Sequence, residues 1–309
     1  MPESQQYRAT AGLAPSGLLL LAALTLVWGL NWPFMKISLS EVSVLWFRTS
    51  CVCVGGFTLL LLSLISGDRI TIPLSQIPAV LLCASFGIVG WHLCTGYGLL
   101  HMPAGRAAII AFLMPVIAAV LSTILLNERL SWSKILGLLL GMTGLAILIG
   151  PDLIVVQRAP IGAILMLGAA FSWAMGTVLF KRFQWRAPTS TVIGWQLMAG
   201  AVPISLAAYN LEPIPVLSTI SLHVWGAMLF VFFIPMVFGQ WAFYKIVKML
   251  PASVAAISTL AIPIVGVYAS ALILGERVGM RELISLAIIC SALAIVLIAP
   301  LRREPAEQT

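Results

Sequence analysis

The feature that most constrains this chain is a succession of apolar runs, each roughly 20 residues long, separated by short polar interruptions. A helix needs about 20 predominantly apolar residues to cross a bilayer, and it satisfies its own backbone hydrogen bonds there. The runs predict ten helices, at residues 16–36, 42–65, 77–99, 104–125, 133–150, 160–181, 190–209, 222–245, 252–274 and 281–299. Only 9% of the residues are charged, so the sequence predicts an integral membrane protein without a soluble domain.

The positions of the basic residues indicate membrane topology and not a nucleic-acid partner. The net charge is +7, but Lys and Arg lie singly or in pairs at the ends of apolar runs. With a cytoplasmic N-terminus, the larger share falls on the cytoplasmic side, which predicts that both terminal tails, 1–15 and 300–309, are cytoplasmic. The first run is long for a signal peptide and is predicted to be a retained helix.

An internal repeat organises the chain. The segment that begins at Pro103 aligns without a gap on the segment that begins at Pro251, an offset of 148 residues. A second internal similarity pairs residues 28–36 with residues 173–181. Each predicted half, 16–150 and 160–299, holds an odd number of spans, so the second half would be inserted upside down. The sequence thus predicts an all-α protein of two inverted five-helix repeats around a central cavity.

Two motifs resemble those of a known family. They are Trp28-Gly29-Leu30-Asn31, closed by Lys36, and the duplicated segments that run from a proline to Leu-x-Glu-Arg. In both halves the chain resembles the ten-helix EamA-type exporters of the drug/metabolite transporter superfamily. In length and aromatic content it is most similar to the aromatic amino-acid exporters of the YddG type. The resemblance implies a bacterial inner-membrane protein.

Polar residues at midspan mark a candidate binding site. His92 lies in the third predicted helix with Thr95 on the same face, and the repeat pairs His92 with Gln240, which Tyr244 follows one turn later. Polar groups at equivalent depths are expected where a cavity lies on a pseudo-two-fold axis. The alternative is an interhelical hydrogen bond without substrate contact.

Tryptophans near midspan extend this site. Trp28 and Asn31 share a face of the first helix, and Trp173 occupies the matching place in the sixth. An indole suits a cavity wall better than lipid because its N–H needs a partner, and Asn31 needs either a neighbouring helix or a substrate. The complete predicted substrate site is Trp28, Asn31, His92, Thr95, Trp173, Gln196, Gln240 and Tyr244.

Two prolines are candidates for hinges. Pro115 and Pro263 occupy matched midspan positions in the repeat. Proline removes a helix hydrogen bond and bends the axis, so the pair predicts either matched hinges or static kinks.

The acidic residues are informative because all ten lie in tails, in loops or at helix ends. Proton-coupled export of cationic drugs ordinarily needs a carboxylate within the membrane, so a neutral or zwitterionic cargo and facilitative transport are favoured. Arg48, a short way into the second helix, either extends its guanidinium to the interface or counters a substrate carboxylate.

These features predict an exporter of aromatic and other hydrophobic or neutral amino acids that works by alternating access. Another small metabolite or drug is the alternative cargo. An enzyme would need converging catalytic groups and a channel a polar pore lining, and neither is apparent. The five cysteines lack metal-ligand spacing, so no metal, cofactor or catalytic residue is predicted. The expected partners are an amino acid and the lipid bilayer, with the protein a monomer or a weak homodimer.

Overall fold

The computed structural model describes residues 15–126, 132–155, 161–243 and 252–298, and within these ranges the chain forms helices and no β-strand. The first group comprises α1 (Pro15–Ser38), α2 (Val44–Ile65), α3 (Ile77–Ala84), α4 (Trp91–Leu100), α5 (Ala104–Ala111), α6 (Met114–Leu125) and α7 (Trp132–Val155). The second group comprises α8 (Ile161–Arg182), α9 (Thr189–Leu211), α10 (Leu222–Phe233), α11 (Ala252–Leu274) and α12 (Met280–Ile298). Short 3₁₀ turns lie at Leu74–Gln76 and Leu217–Thr219.

Seven helical segments in the described ranges are long and apolar enough to cross a membrane. They are Leu19–Ser38, Val44–Ile65, Leu74–Leu100, Ala104–Leu125, Ile161–Arg182, Thr189–Leu211 and Leu222–Phe243. The remaining predicted spans correspond to α7, α11 and α12; within α7 and α11 the apolar helices that qualify are shorter, Ile135–Gly144 and Ile262–Leu274. The all-helical membrane architecture is confirmed for the described residues, and the count of ten spans remains a prediction.

Two π-helical turns lie within the longer segments. Ser85–Gly90 joins α3 to α4, and Ile234–Gly239 joins α10 to a final helical stretch at residues 240–243. They occupy corresponding places in the predicted halves, just before His92 and Gln240. Hydropathy does not predict these turns, because it does not register one extra residue in a helical turn. π-Helical turns are rare and are often found at functional sites.

The two matched prolines have different surroundings. Pro115 is the second residue of α6, after an interruption at Phe112 and Leu113 that separates α5 from α6. Pro263, in contrast, lies inside the continuous helix α11. An equivalent bend was expected in each half. Instead, the helix is interrupted before Pro115 in the first half and is continuous through Pro263 in the second.

The helices are packed across the predicted halves. Helix α1 packs on α10 and α11, and α8 packs on α3, α4, α5 and α6. Helix α2 packs on α9, and α7 packs on α12. Each helix that begins a predicted half thus lies mainly against helices of the other half.

Small residues permit this close packing. A Cβ added at Gly266 of α11 would lie 3.1 Å from Ala108 of α5, and one at Gly176 of α8 would lie 2.6 Å from the Cα of Gly87. Because lipid is as apolar as the helix surface, association in a membrane depends on such van der Waals packing. Gly141 and Gly144 of α7 serve the same purpose within the bundle, where added Cβ atoms would meet Leu113 and Ile289.

Candidate functional site

Aromatic rings from separate helices form a continuous group inside the bundle, which we call the aromatic cluster: Trp28, Trp32, Trp91, Trp173 and Phe243. Trp28 and Trp173 meet edge to face with ring centroids 6.5 Å apart, and Trp173 contacts Trp91 at 4.9 Å. Trp91 contacts Trp32 at 6.5 Å, and Trp28 contacts Phe243 at 5.4 Å. The structure thus brings the two predicted tryptophans into direct contact through α1 and α8.

A π-helical turn supports the Trp28 side chain. Gly239, the last residue of the second π-helical turn, lies so close that an added Cβ would be 2.5 Å from Nε1 of Trp28. The first π-helical turn has a comparable contact, since a Cβ at Gly90 would lie 2.5 Å from Oγ of Ser172, next to Trp173. The second π-helical turn therefore contacts Trp28 itself, and the first contacts Ser172, the residue before Trp173.

Arg48 lies in the interior with its side chain only 1% exposed. Its Nη2 donates to Oγ1 of Thr95 at 2.9 Å, and its Nη1 donates to Sδ of Met35 at 3.3 Å. The guanidinium carbon is 5.1 Å from the centre of the Phe47 ring. The possibility that this arginine extends to the membrane interface is therefore wrong: α1, α2 and α4 enclose it.

His92 and Thr95 lie on α4 beside Arg48. His92 is 4% exposed, and its Nδ1 has no hydrogen-bond partner within the described part of the chain. Thr95 is fully buried, and its hydroxyl donates to the carbonyl of Trp91 while it accepts from Arg48. His92 lies within electrostatic range of the Arg48 guanidinium.

Asn31 joins this polar group through a shared acceptor. Its Nδ2 contacts Sδ of Met35 at 3.5 Å, the same sulfur to which Arg48 donates. Its Oδ1 is buried without a partner among the described residues. Asn31 and Arg48 are therefore both linked to Met35, so α1 and α2 share one polar region next to the aromatic cluster.

The other predicted site residues are less closely joined. Gln196 of α9 is 4% exposed, and its Nε2 has no partner among the residues described. Within the same residues, no hydrogen bond links Gln196 to Arg48 or to the aromatic cluster. Gln240 is half-buried next to Gly239. Tyr244 lies outside the described residues.

At one end of the bundle, carboxylates hold the halves together. Glu276 accepts from the amides of Ala104 and Gly105 at 2.6 and 2.9 Å, at the start of α5. Glu212 accepts from the amides of Leu45 and Trp46, at the start of α2. An anionic side chain is favourable at a helix N-terminus, where amides lack acceptors and the helix dipole is positive.

Two further contacts strengthen this end, which we call the carboxylate end. Glu41 accepts from the amide of Ser221 at 2.7 Å, and this bond lowers the pKa of the exposed Glu41 carboxyl. Lys36 donates to the carbonyls of Leu99 and Met102, at the end of α4. Each carboxylate bond joins residues of opposite predicted halves.

The opposite end has open clefts. One, of about 800 Å³, is lined by the loop at residues 67–74 and by Arg186, Ala187 and Pro188. A second, of about 590 Å³, lies between residues 75–82 and residues 183–186. Among the described residues the two ends thus differ: charged contacts join the halves at one, and surface clefts between loops lie at the other.

Sequence reasoning overlooked Trp91 and underestimated Arg48 and the carboxylates. Trp91 immediately precedes His92, and that adjacency was the available signal. Nothing local shows that Glu276 reaches α5, because the two are more than 170 residues apart. Within the described ranges, no group of three His, Cys, Asp or Glu residues could hold a metal ion.

The chain has relatives among known membrane transporters. The family model described as EamA-like transporter family matches residues 15–150 and again residues 160–298. The uncharacterized transporter YvbV of Bacillus subtilis is 29% identical over 282 residues, 90% of each chain. A Salmonella typhimurium protein named "Probable amino-acid metabolite efflux pump" is 26% identical over 280 residues, 87% of this chain and 90% of its own. A solved crystal structure aligns with 94% of this chain and 99% of its own at a TM-score of 0.67 and 23% identity, which shows a shared fold.

Proposed function

Since this chain belongs to the EamA-like transporter family, within the drug/metabolite transporter superfamily, we propose that it exports amino acids with aromatic, other hydrophobic or neutral side chains. It is a multi-pass membrane transporter. The observation that carries the amino-acid assignment is the aromatic cluster lying beside two buried polar atoms, Oδ1 of Asn31 and Nδ1 of His92, that have no hydrogen-bond partner in the described part of the chain. The rings suit an apolar side chain, and the polar atoms suit the charged backbone groups of an amino acid.

The relatives support the same cargo class. The Salmonella protein and an Escherichia coli protein, 25% identical over 277 residues, both carry names as amino-acid metabolite efflux pumps. We assign the substrate contacts to the predicted site: Trp28, Asn31, His92, Thr95, Trp173, Gln196, Gln240 and Tyr244.

The transport cycle we propose is alternating access by ten helices in two inverted repeats. The exchange of packing partners between halves supports this: α1 lies on α10 and α11, and α8 lies on the corresponding helices α3 to α6. A pseudo-two-fold axis relating inverted halves accounts for that pattern. Pro115 and Pro263 are the proposed hinges, with the two π-helical turns as further weak points in the helices.

Transport in this scheme is facilitative. Among the described residues, Glu41, Glu212 and Glu276 bind backbone amides at one end of the bundle, and none of them approaches the aromatic cluster through a described hydrogen bond. Glu282 pairs with Arg106, so none of these four described carboxylates is placed to exchange a proton for cargo at the site. We place the protein in a bacterial inner membrane with both termini cytoplasmic, so that the carboxylate end faces outward.

Counterflow in liposomes tests the proposal. Purified protein is reconstituted in liposomes loaded with unlabelled phenylalanine or threonine, and entry of the labelled amino acid is measured against empty liposomes. We expect exchange without an imposed proton gradient. Exchange no faster than in empty liposomes would reject the amino-acid assignment, and strict dependence on a proton gradient would reject the facilitative mechanism.

A further inference from the structure

Arg48 carries a buried positive charge, and among the described residues no hydrogen bond or ion pair joins it to a carboxylate. In the described ranges Arg106 forms an ion pair with Glu282, and Glu212 and Glu276 bind backbone amides. A charge taken out of water is costly unless it is paired. An ionisable group placed inside a membrane bundle is therefore expected to have a functional partner.

The partners of Arg48 leave some of its hydrogen-bond donors unused. A guanidinium carries five N–H donors, and here Thr95 Oγ1, the thioether of Met35 and the sulfur of Cys51 accept from it. Its Nε is buried without a partner in the described residues. A thioether is a weak acceptor, so Nη1 gains when a carboxylate oxygen replaces Met35 Sδ.

The surroundings match the remaining parts of an amino acid. Asn31 is linked to the same Met35 sulfur, and its side-chain oxygen, which has no partner among the residues described, can accept from an ammonium group. Trp32, one residue from Asn31, belongs to the aromatic cluster. Carboxylate, amine and aromatic side chain would each have a chemically suitable neighbour within one region.

Helix α4 packs over Arg48. A Cβ added at Gly96 would lie 3.1 Å from Arg48 Nε, so α4 covers the guanidinium closely. The π-helical turn Ser85–Gly90 lies directly before α4. A change of conformation at this turn would move α4 and uncover the guanidinium.

We propose that Arg48 binds the carboxylate of the cargo, so that the transporter selects carboxylate-bearing molecules. This inference rests on the proposed function and specifies the chemical group that the site recognises. A bidentate guanidinium–carboxylate pair would replace the contact to Met35 and give the buried charge its missing partner.

The test compares three competitors of labelled phenylalanine in the liposome assay: phenylalanine, 3-phenylpropionate, which lacks the amine, and phenethylamine, which lacks the carboxylate. In the wild-type protein we expect phenylalanine and 3-phenylpropionate to compete and phenethylamine to be weak. In Arg48→Met, the preference for 3-phenylpropionate over phenethylamine should fall by about 10- to 100-fold, the range typical of a hydrogen bond to a charged group. Arg48→Lys should retain part of that preference. The exposed Arg182→Gln serves as the matched control.

Thermal stability separates binding from packing. Replacing a buried charge by an apolar side chain is often neutral or stabilising, so Arg48→Met should melt at or above the wild-type temperature. A lowered melting temperature with an unchanged carboxylate preference would overturn the inference and leave the amino-acid function standing. Each of the three probes is also labelled in turn and its own counterflow measured. Counterflow of 3-phenylpropionate without counterflow of phenylalanine would reject the proposed function and support the inference. Transport of phenethylamine alone, or of none of the three probes, would overturn both.

Discussion

The indoles of Trp28 and Trp173, which the internal repeat places at matching positions, contact each other edge to face with their centroids 6.5 Å apart. Residues related by a pseudo-two-fold axis meet only when both lie close to that axis. Their contact is therefore consistent with a site at the junction of the two halves, where alternating access would expose cargo to either side.

Removal of one of these rings should selectively weaken the binding of aromatic cargo. An aromatic pair contributes about 0.5–1.5 kcal/mol beyond its buried area, which corresponds to roughly a 2- to 12-fold change in affinity. We expect Trp173→Ala to raise the KM for phenylalanine counterflow by about that factor and to change the KM for threonine less. The control is Trp132→Ala in α7, where the side chain is 77% exposed. Equal losses for both cargoes would contradict a stacking role.

A methyl group at Gly239 should displace the Trp28 indole. The added Cβ would lie 2.5 Å from Nε1 of Trp28, whereas a Cβ at Gly226 in α10 meets no atom within 4 Å. We expect Gly239→Ala to lose most transport and about 1–3 kcal/mol of stability through overpacking, and Gly226→Ala to keep both. The double variant Gly239→Ala/Trp28→Phe should regain stability in melting experiments, because the smaller ring vacates the space. If the double variant does not regain stability, the methyl group at residue 239 acts through something other than its contact with Trp28.

His92→Asn tests whether the buried imidazole contacts cargo. Asparagine keeps a polar side chain of smaller size, so helix packing should survive. We expect a monodisperse protein with a near-native melting temperature and a several-fold lower rate of counterflow. Unchanged transport would assign His92 to helix packing alone.

The Glu276 carboxylate should stabilise the carboxylate end. Glu276→Gln removes the negative charge that accepts from the amides of Ala104 and Gly105, and a helix-capping interaction is worth about 1 kcal/mol. We expect a lower melting temperature and an altered rate of exchange, because the contact between halves must break when that end opens. Asp68→Asn, in a loop at the other end, is the control. If the two variants behave alike, Glu276 does not close this end.

The contact of Glu41 with Ser221 should stabilise the folded protein to an extent that depends on pH. Because the Ser221 amide lowers the pKa of Glu41 from 4.5, the contribution is complete above that ordinary value and is lost as the pH falls through the lowered pKa of the folded state. We expect the difference in melting temperature between wild type and Glu41→Gln to persist at pH 7 and 5 and to shrink at pH 3.5 and below. A difference that grows on acidification would contradict this direction.

The helices were the most predictable part of the fold. A run of about 20 apolar residues has few alternatives in a membrane, so the predicted spans 42–65 and 104–125 correspond to Val44–Ile65 and to the segment Ala104–Leu125. Interruptions within spans were not predictable: α5 and α6 are separated at Phe112 and Leu113, and the two π-helical turns depend on local packing. Hydropathy averages over a whole helix and does not register such a local change.

The candidate site was partly predictable, because the repeat directs attention to Trp28, Trp173 and His92 without reference to contacts. Sequence by itself determined the helical membrane architecture and the pairing of these positions, since both follow from composition and spacing along the chain. Only the tertiary structure decided that the two indoles touch, that Arg48 is enclosed rather than extended to the interface, and that Glu212 reaches α2 across 167 residues. Those outcomes depend on the distances between helices, which are set by the small side chains where helices cross and not by the order of residues within any one of them.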